Sequence, residues 1–270
     1  MSIRIGYVTV LVASLVFLMS HDSLKAADDA SPAERFQQKE FVGKDGSKHK
    51  YRVFVPSGFE DDKAKTYPLV LFLHGAGERG DDNTIQLKHG APEFASAARQ
   101  AQYPCIVIAP QCPRDEKWVS VDWSPATGKG TFPNEPSPAM QVALGIVNQW
   151  IEGGRVDRSR VYITGLSMGG YGTWYASAMK DNPFAAAMPI CGGGDPTWAE
   201  RYASMPIWTF HGTNDQAVPV IRSQEMMAAL KEAGQKPEPK YTEYEGGDHD
   251  VWTETYKRDD AFAWLFNQKK

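Results

Sequence analysis

The pentapeptide Gly-Leu-Ser-Met-Gly at residues 165–169 constrains the fold more than any other stretch of this chain. Residues 160–164 before it are rich in β-branched and aromatic side chains, as in a buried strand. The residues after it recur at helical spacing: Tyr171, Trp174, Tyr175 and Ala178. A G-x-S-x-G sequence between a strand and a helix predicts a sharp turn at Ser167, where the flanking glycines allow close packing.

Strand and helix patterns alternate along the rest of the chain. Residues 40–42 and 49–55 predict two early strands, antiparallel at one edge of a sheet. Later strands are predicted at 67–73, 105–109, 186–190, 205–210 and 240–244, and helices at 91–100, 138–153, 220–233 and 253–268. This alternation predicts an α/β fold with a mostly parallel central sheet covered by helices on both faces. With 270 residues, 42% of them hydrophobic, the chain suits one large domain.

Two polar residues that suit Ser167 follow in later loops. Asp215 comes after the strand at 205–210, and His249 comes after the strand at 240–244. In open α/β sheets, functional groups gather at the carboxyl ends of the strands. A serine hydroxyl needs a base to become a nucleophile, and a histidine base needs a carboxylate to orient it. We therefore predict Ser167 as nucleophile, His249 as base and Asp215 as its partner.

Asp248 and Asp250 are rivals for the carboxylate role. Both are adjacent to His249 in sequence, and on an ordinary loop such neighbours point elsewhere. The sequence favours Asp215 over either of them.

The strand at 67–73 runs directly into His-Gly-Ala-Gly at residues 74–77. A loop at this place supplies one of two backbone N–H groups that hold a developing oxyanion, the other coming from the residue after the nucleophile. We predict Ala76 and Met168 as these donors. His74 is expected to brace the loop in preference to transferring protons.

Glu78 and Arg79 stand beside this predicted oxyanion turn. They either recognise a polar group of a substrate or form an ion pair that holds the turn. The sequence leaves both interpretations open.

Residues 111–136 break the alternating pattern and contain Trp118 and Trp123. Trp252 follows His249 by three positions. These indoles either contact substrate, stacking on sugar rings or aryl groups, or pin their loops to the body of the protein. All three are predicted substrate contacts on the first interpretation.

These motifs resemble the α/β-hydrolase superfamily over nearly the whole chain. Residues 73–83, 109–113, 165–172 and 249–252 are similar to a bacterial phospholipase/carboxylesterase-like or "predicted peptidase" group. This group is related to feruloyl esterases, polyhydroxybutyrate depolymerases and dienelactone hydrolases. The resemblance implies the α/β-hydrolase fold and serine esterase chemistry. Dienelactone hydrolases carry cysteine where Ser167 stands, which disfavours that activity.

The expected function is hydrolysis of carboxylic esters, either small or linked to carbohydrate, through an acyl-enzyme on Ser167. The chain lacks a large apolar lid-like insertion, which favours soluble or polysaccharide-borne esters over lipid interfaces. A serine peptidase is the main alternative. An acyltransferase and a non-catalytic binding protein of the same fold are further alternatives.

Composition excludes several other classes. The formal net charge is −4, and no basic block points to nucleic acid. Neither a phosphate loop nor metal-ligand spacing of cysteine and histidine is present, so neither cofactor nor metal is expected. Cys105, Cys112 and Cys191 cannot all pair within one chain. Free thiols are favoured, although an exported protein could oxidise Cys105 to Cys112.

The first residues differ from the rest. Arg4 precedes an apolar run at 5–19, and a polar stretch then ends in Leu-Lys-Ala-Ala at 24–27. This pattern resembles a secretory signal cleaved near Ala26. An uncleaved membrane anchor is the alternative, but the run is short for a membrane span of about 20 residues and a small-residue cleavage site follows it, which favours cleavage. We predict a signal peptide at 1–26 and a catalytic domain at 27–270, exported to the periplasm or outside the cell without stable membrane insertion.

Overall fold

The computed structural model describes residues 31–123 and 131–270. Within these residues, eight strands form one sheet: β1 (Gln37–Val42), β2 (Lys48–Phe54), β3 (Tyr67–Leu73), β4 (Ile106–Pro110), β5 (Val156–Leu166), β6 (Ala186–Ile190), β7 (Trp208–Gly212) and β8 (Lys240–Tyr244). Their order across the sheet is β1-β2-β4-β3-β5-β6-β7-β8. β2 pairs antiparallel with β1 and β4, and all other neighbours are parallel. The predicted α/β fold with an antiparallel edge is therefore confirmed.

Helices connect the parallel strands. In the described parts of the chain the α-helices are α1 (Ala91–Ala95), α2 (Ala97–Gln102), α3 (Pro138–Glu152), α4 (Met168–Ser177), α5 (Ile221–Glu232), α6 (Trp252–Thr255) and α7 (Asp259–Phe266). Short 3₁₀ helices lie at Ala76–Glu78, Ile85–Leu87 and Pro196–Tyr202. None of the helices in residues 31–123 and 131–270 is long and apolar enough to cross a membrane.

Two predicted helices are each divided in two. The pattern at 91–100 breaks at Ser96, where ψ is 148° and the hydroxyl accepts the Arg99 N–H to cap α2. The pattern at 253–268 breaks at Arg258, which is extended between α6 and α7. A capping hydroxyl offers the backbone an alternative to helix continuation, which apolar periodicity does not reveal.

The core lies on both faces of the sheet. β3 is entirely buried, and its successive side chains point to opposite faces. Leu69, Leu71 and Leu73 pack in one hydrophobic cluster, together with residues of α3. Val70 and Phe72 pack in the other, together with residues of α7. Burial on both faces explains why β3 is a continuous apolar run without polar alternation.

Residues Ser31–Lys270 form one compact unit. The predicted signal peptide at 1–26, and the boundary at residue 27, lie outside the described residues. Both stay predictions.

The helix that follows β5 packs its first turn directly on backbone. A Cβ atom at Gly165 would lie 2.6 Å from the carbonyl oxygens of both Gly169 and Leu73. One at Gly169 would overlap the Leu73 carbonyl oxygen, and one at Gly170 would lie 2.5 Å from the Ile190 carbonyl oxygen. These glycines therefore let α4 approach β3 and β6, as the sequence predicts.

We expect Gly169→Ala to lower the free energy of unfolding by about 3 kcal/mol or more, because a rigid backbone carbonyl occupies the space of the new methyl group. Urea denaturation measures this change. Gly77→Ala is the matched control, since no atom lies within 4 Å of a Cβ at Gly77. Equal stability of the two variants would contradict the packing described here.

Candidate active site

Ser167 stands between the end of β5 and the first residue of α4. Its backbone has φ 54° and ψ −117°, a conformation that residues other than glycine rarely adopt. The strained turn is held on both sides, because the Ser167 N–H donates to the Ile190 carbonyl at 2.9 Å and its carbonyl accepts the Tyr171 N–H at 3.1 Å. The turn presents the hydroxyl at the carboxyl edge of the sheet.

Loops after β7 and β8 bring the two predicted partners to this hydroxyl. His249 Nε2 lies 2.9 Å from Ser167 Oγ, and His249 Nδ1 lies 2.6 Å from Asp215 Oδ2. The Asp215 side chain is fully buried, whereas about a quarter of the His249 side chain is exposed. The three side chains thus form one continuous hydrogen-bonded series, with its hydroxyl end accessible.

The two adjacent aspartates do not take this place. Asp248 Oδ1 accepts the Asp250 N–H at 3.0 Å, and Asp250 Oδ1 accepts the Thr253 hydroxyl at 2.7 Å. Both carboxylates therefore serve the local turn, and Asp215 alone of the three aspartates pairs with His249.

The Asp215 carboxylate is both buried and ionised. Its Oδ1 accepts the N–H groups of Ala217 at 2.9 Å and Val218 at 2.8 Å. Burial acts to raise the pKa of Asp215, but hydrogen bonds from His211, His249 and the Val218 backbone outweigh it and hold the pKa well below its usual range. The carboxylate stays charged, as it must to stabilise an imidazolium.

His211 is a part of the site that the sequence did not reveal. Its Nε2 lies 2.8 Å from the Val218 carbonyl and 3.3 Å from Asp215 Oδ2. Because a carbonyl can only accept, Nε2 carries the proton and donates towards both oxygens. Nδ1 lies 2.7 Å from the Ser223 hydroxyl, which fixes the ring from its other side. His211 thereby holds the Asp215 loop in place.

Cys191 completes this buried cluster. Cys191, His211 and Asp215 offer ligand-type atoms within 4.8 Å of one another. Each ring nitrogen of His211 already has a protein partner. Burial and the nearby Asp215 charge raise the pKa of the Cys191 thiol well above its usual value, so it stays protonated. We interpret the cluster as a hydrogen-bonded support for Asp215.

Cys105 and Cys112 are free and buried, so the possible disulfide between them is not formed. The favoured prediction of free thiols agrees with this arrangement.

The two predicted oxyanion donors stand at the starts of helices. Met168 is the first residue of α4, and Ala76 is the first residue of the 3₁₀ helix that follows β3. Backbone N–H groups at such positions have no partner inside the helix. Both residues line the same pocket as Ser167. The positive end of the α4 dipole adds to the attraction for negative charge there.

His74 braces this donor loop, as the sequence predicts. Its Nδ1 lies 2.7 Å from the Gly75 carbonyl and its Nε2 accepts the Cys112 N–H at 2.9 Å, so Nδ1 carries the proton. Burial lowers the pKa of His74 to about 4, which keeps the ring neutral at physiological pH. The ring therefore links the donor loop to the segment after β4.

Trp118 is a correction to the predicted substrate contacts. It is 1% exposed, and its indole N–H donates to the His74 carbonyl at 2.9 Å. Its ring packs edge-on against the His74 ring. Trp118 is not among the residues that line the pocket, and its side chain packs against Gly172 of α4, so it pins the loop to the body of the protein.

The pocket around Ser167 has a volume of about 300 Å³. Of the predicted substrate contacts, Trp123 and Trp252 line it. Trp252 packs edge-on against the His249 ring at a centroid distance of 4.9 Å. Tyr171, another wall residue, lies 6.2 Å from the Trp123 ring. Three aromatic side chains and the His249 ring therefore contribute to the pocket wall.

Comparison with known families supports this fold. A family described as Phospholipase/Carboxylesterase matches residues 59–262, which include Ser167, Asp215 and His249. The chain belongs to the phospholipase/carboxylesterase family.

Several individual proteins are similar to this chain. A bifunctional acetylxylan esterase/xylanase of Neocallimastix patriciarum is 27% identical over 186 residues, which cover 69% of this chain and 24% of the relative. The chain thus spans about a quarter of that curated relative. The crystal structure of a thermostable esterase is 39% identical with a TM-score of 0.79, covering 88% of this chain and 64% of that one. A ferulic acid esterase structure shares the fold at 19% identity, with a TM-score of 0.62 and coverage of 85% and 96%.

We expect His74→Gln to flatten the pH dependence of stability between about pH 4 and 6.5. The pKa of His74 is lowered from 6.5 to about 4 on folding, so the unfolded chain binds more protons in this interval. The stability contribution of neutral His74 is therefore complete above pH 6.5 and is lost as the pH falls towards 4, amounting to about 3 kcal/mol. Urea unfolding at several pH values measures the slope, and parallel curves for the variant and the wild type would contradict this role.

We expect His211→Gln to slow phosphonylation of Ser167 by a small fluorophosphonate by about 10- to 100-fold, because a displaced Asp215 no longer aligns His249. The second-order rate constant of labelling, read by mass spectrometry of the Ser167 peptide, measures the effect. His49→Gln on β2, outside the Ser167 pocket, is the control and should label like the wild type. Unchanged labelling of a folded His211→Gln protein would show that His211 does not position Asp215.

Proposed function

We propose that this protein is an exported serine hydrolase that cleaves carboxylic esters through an acyl-enzyme on Ser167. The observation that carries the proposal is the pair of hydrogen bonds from Ser167 to His249, at 2.9 Å, and from His249 to Asp215, at 2.6 Å. This geometry provides what a serine nucleophile needs, namely a base within reach and a carboxylate that fixes the base.

In the first half of the reaction, Ser167 Oγ attacks the ester carbonyl carbon and passes its proton to His249 Nε2. The carbonyl oxygen becomes an oxyanion, which the N–H groups of Met168 and Ala76 stabilise. Asp215 stabilises the imidazolium while His249 Nδ1 keeps its proton. His249 then protonates the leaving alcohol from Nε2, and the acyl group stays on Ser167.

In the second half, water attacks the acyl carbon in the place that the alcohol has left. His249 accepts a proton from this water, and the same two N–H groups hold the second oxyanion. Collapse of this intermediate returns the proton to Ser167 and releases the acid. Apart from the ester and the water, these steps use only groups of the protein.

The substrate class follows from the size of the pocket and from the relatives. A volume of about 300 Å³ is at the small end for ligand sites and favours a short acyl or aryl group. The Neocallimastix relative is named as an acetylxylan esterase, and the similar structures include a thermostable esterase and a ferulic acid esterase. We therefore favour small esters, including those carried on polysaccharides. Export rests on the predicted signal at residues 1–26.

We expect Ser167→Ala to lower ester turnover by about 10⁶-fold, because the substitution removes the atom that forms the acyl-enzyme. The substrates to compare are p-nitrophenyl acetate, a longer acyl homologue, methyl ferulate, acetylated xylan and a chromogenic peptide. Ser204→Ala is the matched control, since Ser204 is exposed and outside the pocket.

Other outcomes of the same assay assign the site differently. Cleavage of the peptide alone would make the protein a serine peptidase, and acyl transfer to an acceptor faster than hydrolysis would make it an acyltransferase. If no substrate is cleaved and fluorophosphonate does not label Ser167, the protein is a binding protein that keeps the fold.

A further inference from the structure

Glu78 places a carboxylate in the wall of the Ser167 pocket. It is the last residue of the 3₁₀ helix after β3, and its side chain is 9% exposed. A side-chain carbon at Gly75 would lie 3.0 Å from Glu78 Oε2 and 3.6 Å from Ser167 Cβ. The carboxylate and the nucleophile therefore flank the same point of the pocket.

The ion pair between Glu78 and Arg79 that the sequence allows is not formed. Arg79 turns the other way, donating from Nε to the Ala76 carbonyl at 2.9 Å and from a terminal nitrogen to the Glu116 carbonyl at 3.4 Å. Arg79 thus holds the turn without neutralising Glu78. The sequence allowed Glu78 either to pair with Arg79 or to recognise a polar group of a substrate, and the geometry favours the second interpretation.

The Glu78 carboxylate has no hydrogen-bond partner within residues 31–123 and 131–270. His89 Nε2 lies 3.8 Å from Oε1, which is beyond hydrogen-bonding distance. A buried carboxylate without a donor is costly, so a protein that keeps one in a binding pocket has a use for its acceptor oxygens. Water can donate hydrogen bonds to the Glu78 carboxylate while the pocket is free of ligand. A ligand that displaces this water must supply the donors itself.

Ring contacts place Glu78 on the leaving-group side of the pocket. His89, which faces Glu78, packs on Trp252 at a centroid distance of 5.8 Å, and Trp252 packs on His249 at 4.9 Å. On the proposed mechanism His249 protonates the oxygen of the leaving alcohol, so this alcohol lies beside His249. His89 and Trp252 therefore connect the Glu78 carboxylate to the His249 side of the pocket.

The surroundings of Glu78 suit a hydroxyl as the ligand. A hydroxyl can donate to the carboxylate and still accept a hydrogen bond, whereas an ammonium group only donates. Trp123, Tyr171 and Trp252 line the pocket. Aromatic walls also suit the apolar face of a sugar ring.

We propose that Glu78 determines specificity by accepting a hydrogen bond from a hydroxyl of the leaving alcohol, next to the ester oxygen. The substrate class is then an ester of a polyhydroxy alcohol, such as an acylated sugar residue. This inference rests on the proposed esterase function and goes beyond it, because it assigns the alcohol half of the substrate and the residue that selects it.

The test compares two esters that differ by one hydroxyl. One is a methyl xyloside acetylated at a single position, and the other is its analogue with the neighbouring hydroxyl replaced by hydrogen. In the wild type we expect kcat/KM to favour the hydroxylated ester by about tenfold or more, as for a hydrogen bond to a charged group. Glu78→Ala should lower kcat/KM for this ester by about 10- to 100-fold and change the deoxy analogue by less than about threefold.

Glu78→Gln keeps an acceptor oxygen without the charge and should retain part of the preference. Glu93→Gln on α1, outside the pocket, is the matched control and should behave like the wild type. Equal losses on both esters would make Glu78 a structural residue and overturn the inference, as would an unchanged preference. A choline ester is the cationic probe. If kcat/KM favours the choline ester more strongly than the hydroxylated ester, and Glu78→Gln and Glu78→Ala lose this preference equally, the ligand is an ammonium group. That result would overturn the assignment to hydroxyls.

A binding readout separates failure of this inference from failure of the proposed function. The acetylated methyl xyloside and its deoxy analogue are titrated calorimetrically into Ser167→Ala, with and without Glu78→Ala. Weaker binding of the hydroxylated compound alone in the double variant supports the role of Glu78 even if no ester is hydrolysed. Equal affinities of the single and double variants for both compounds would overturn it.

Discussion

The close approach of α4 to the backbone of β3 is the constraint on which the site depends. Gly169 in the first turn of the helix touches the carbonyl of Leu73, the last residue of the strand. Ser167 lies just before this contact on one chain segment, and His74 and Ala76 lie just after it on the other. The proposed nucleophile and the predicted oxyanion donors therefore lie on either side of a single backbone contact, which leaves little freedom for the distances between them to vary.

Support for the charged end of the site is arranged in a similar way. Asp215 is fixed by backbone donors of its own loop, by His249 on the solvent side and by His211 on the buried side. Burial of an ion is unfavourable alone, but several donors converging on one carboxylate more than offset it here. The result is a firmly held partner for His249. Of Asp215, His211 and His249, only His249 is partly exposed, and it lines the pocket.

The sheet and the placement of the three candidate catalytic residues were predictable from the sequence, for a physical reason. A strand that ends in a polar loop must deliver that loop to the carboxyl edge of a parallel sheet, so the positions of Ser167, Asp215 and His249 follow from strand order. The helix breaks at Ser96 and Arg258 do not follow, because apolar periodicity continues across both and the deciding hydrogen bonds and backbone angles are local.

The remaining differences concern side chains whose surroundings depend on tertiary packing. His211 directly follows the predicted strand at 205–210, and the sequence alone does not show that the Val218 turn folds back over it. Trp118 occurs in an aperiodic loop, and only the path of that loop decides whether its indole meets solvent or the His74 carbonyl. Adjacent opposite charges at Glu78 and Arg79 suggest a pair, yet the 3₁₀ turn directs them apart.

The three buried thiols are unreactive while the protein is folded. Burial raises the pKa of Cys105 and Cys112 to about 12 and that of Cys191 well above its usual value, so almost no thiolate exists while the protein is folded. Since thiolate is the form that oxidants and alkylating reagents attack, these cysteines react only when the chain opens. Their positions report on different regions: Cys105 just before β4, Cys112 beside the oxyanion loop and Cys191 beneath the carboxylate. The order in which the three thiols are modified therefore gives the order in which these regions unfold.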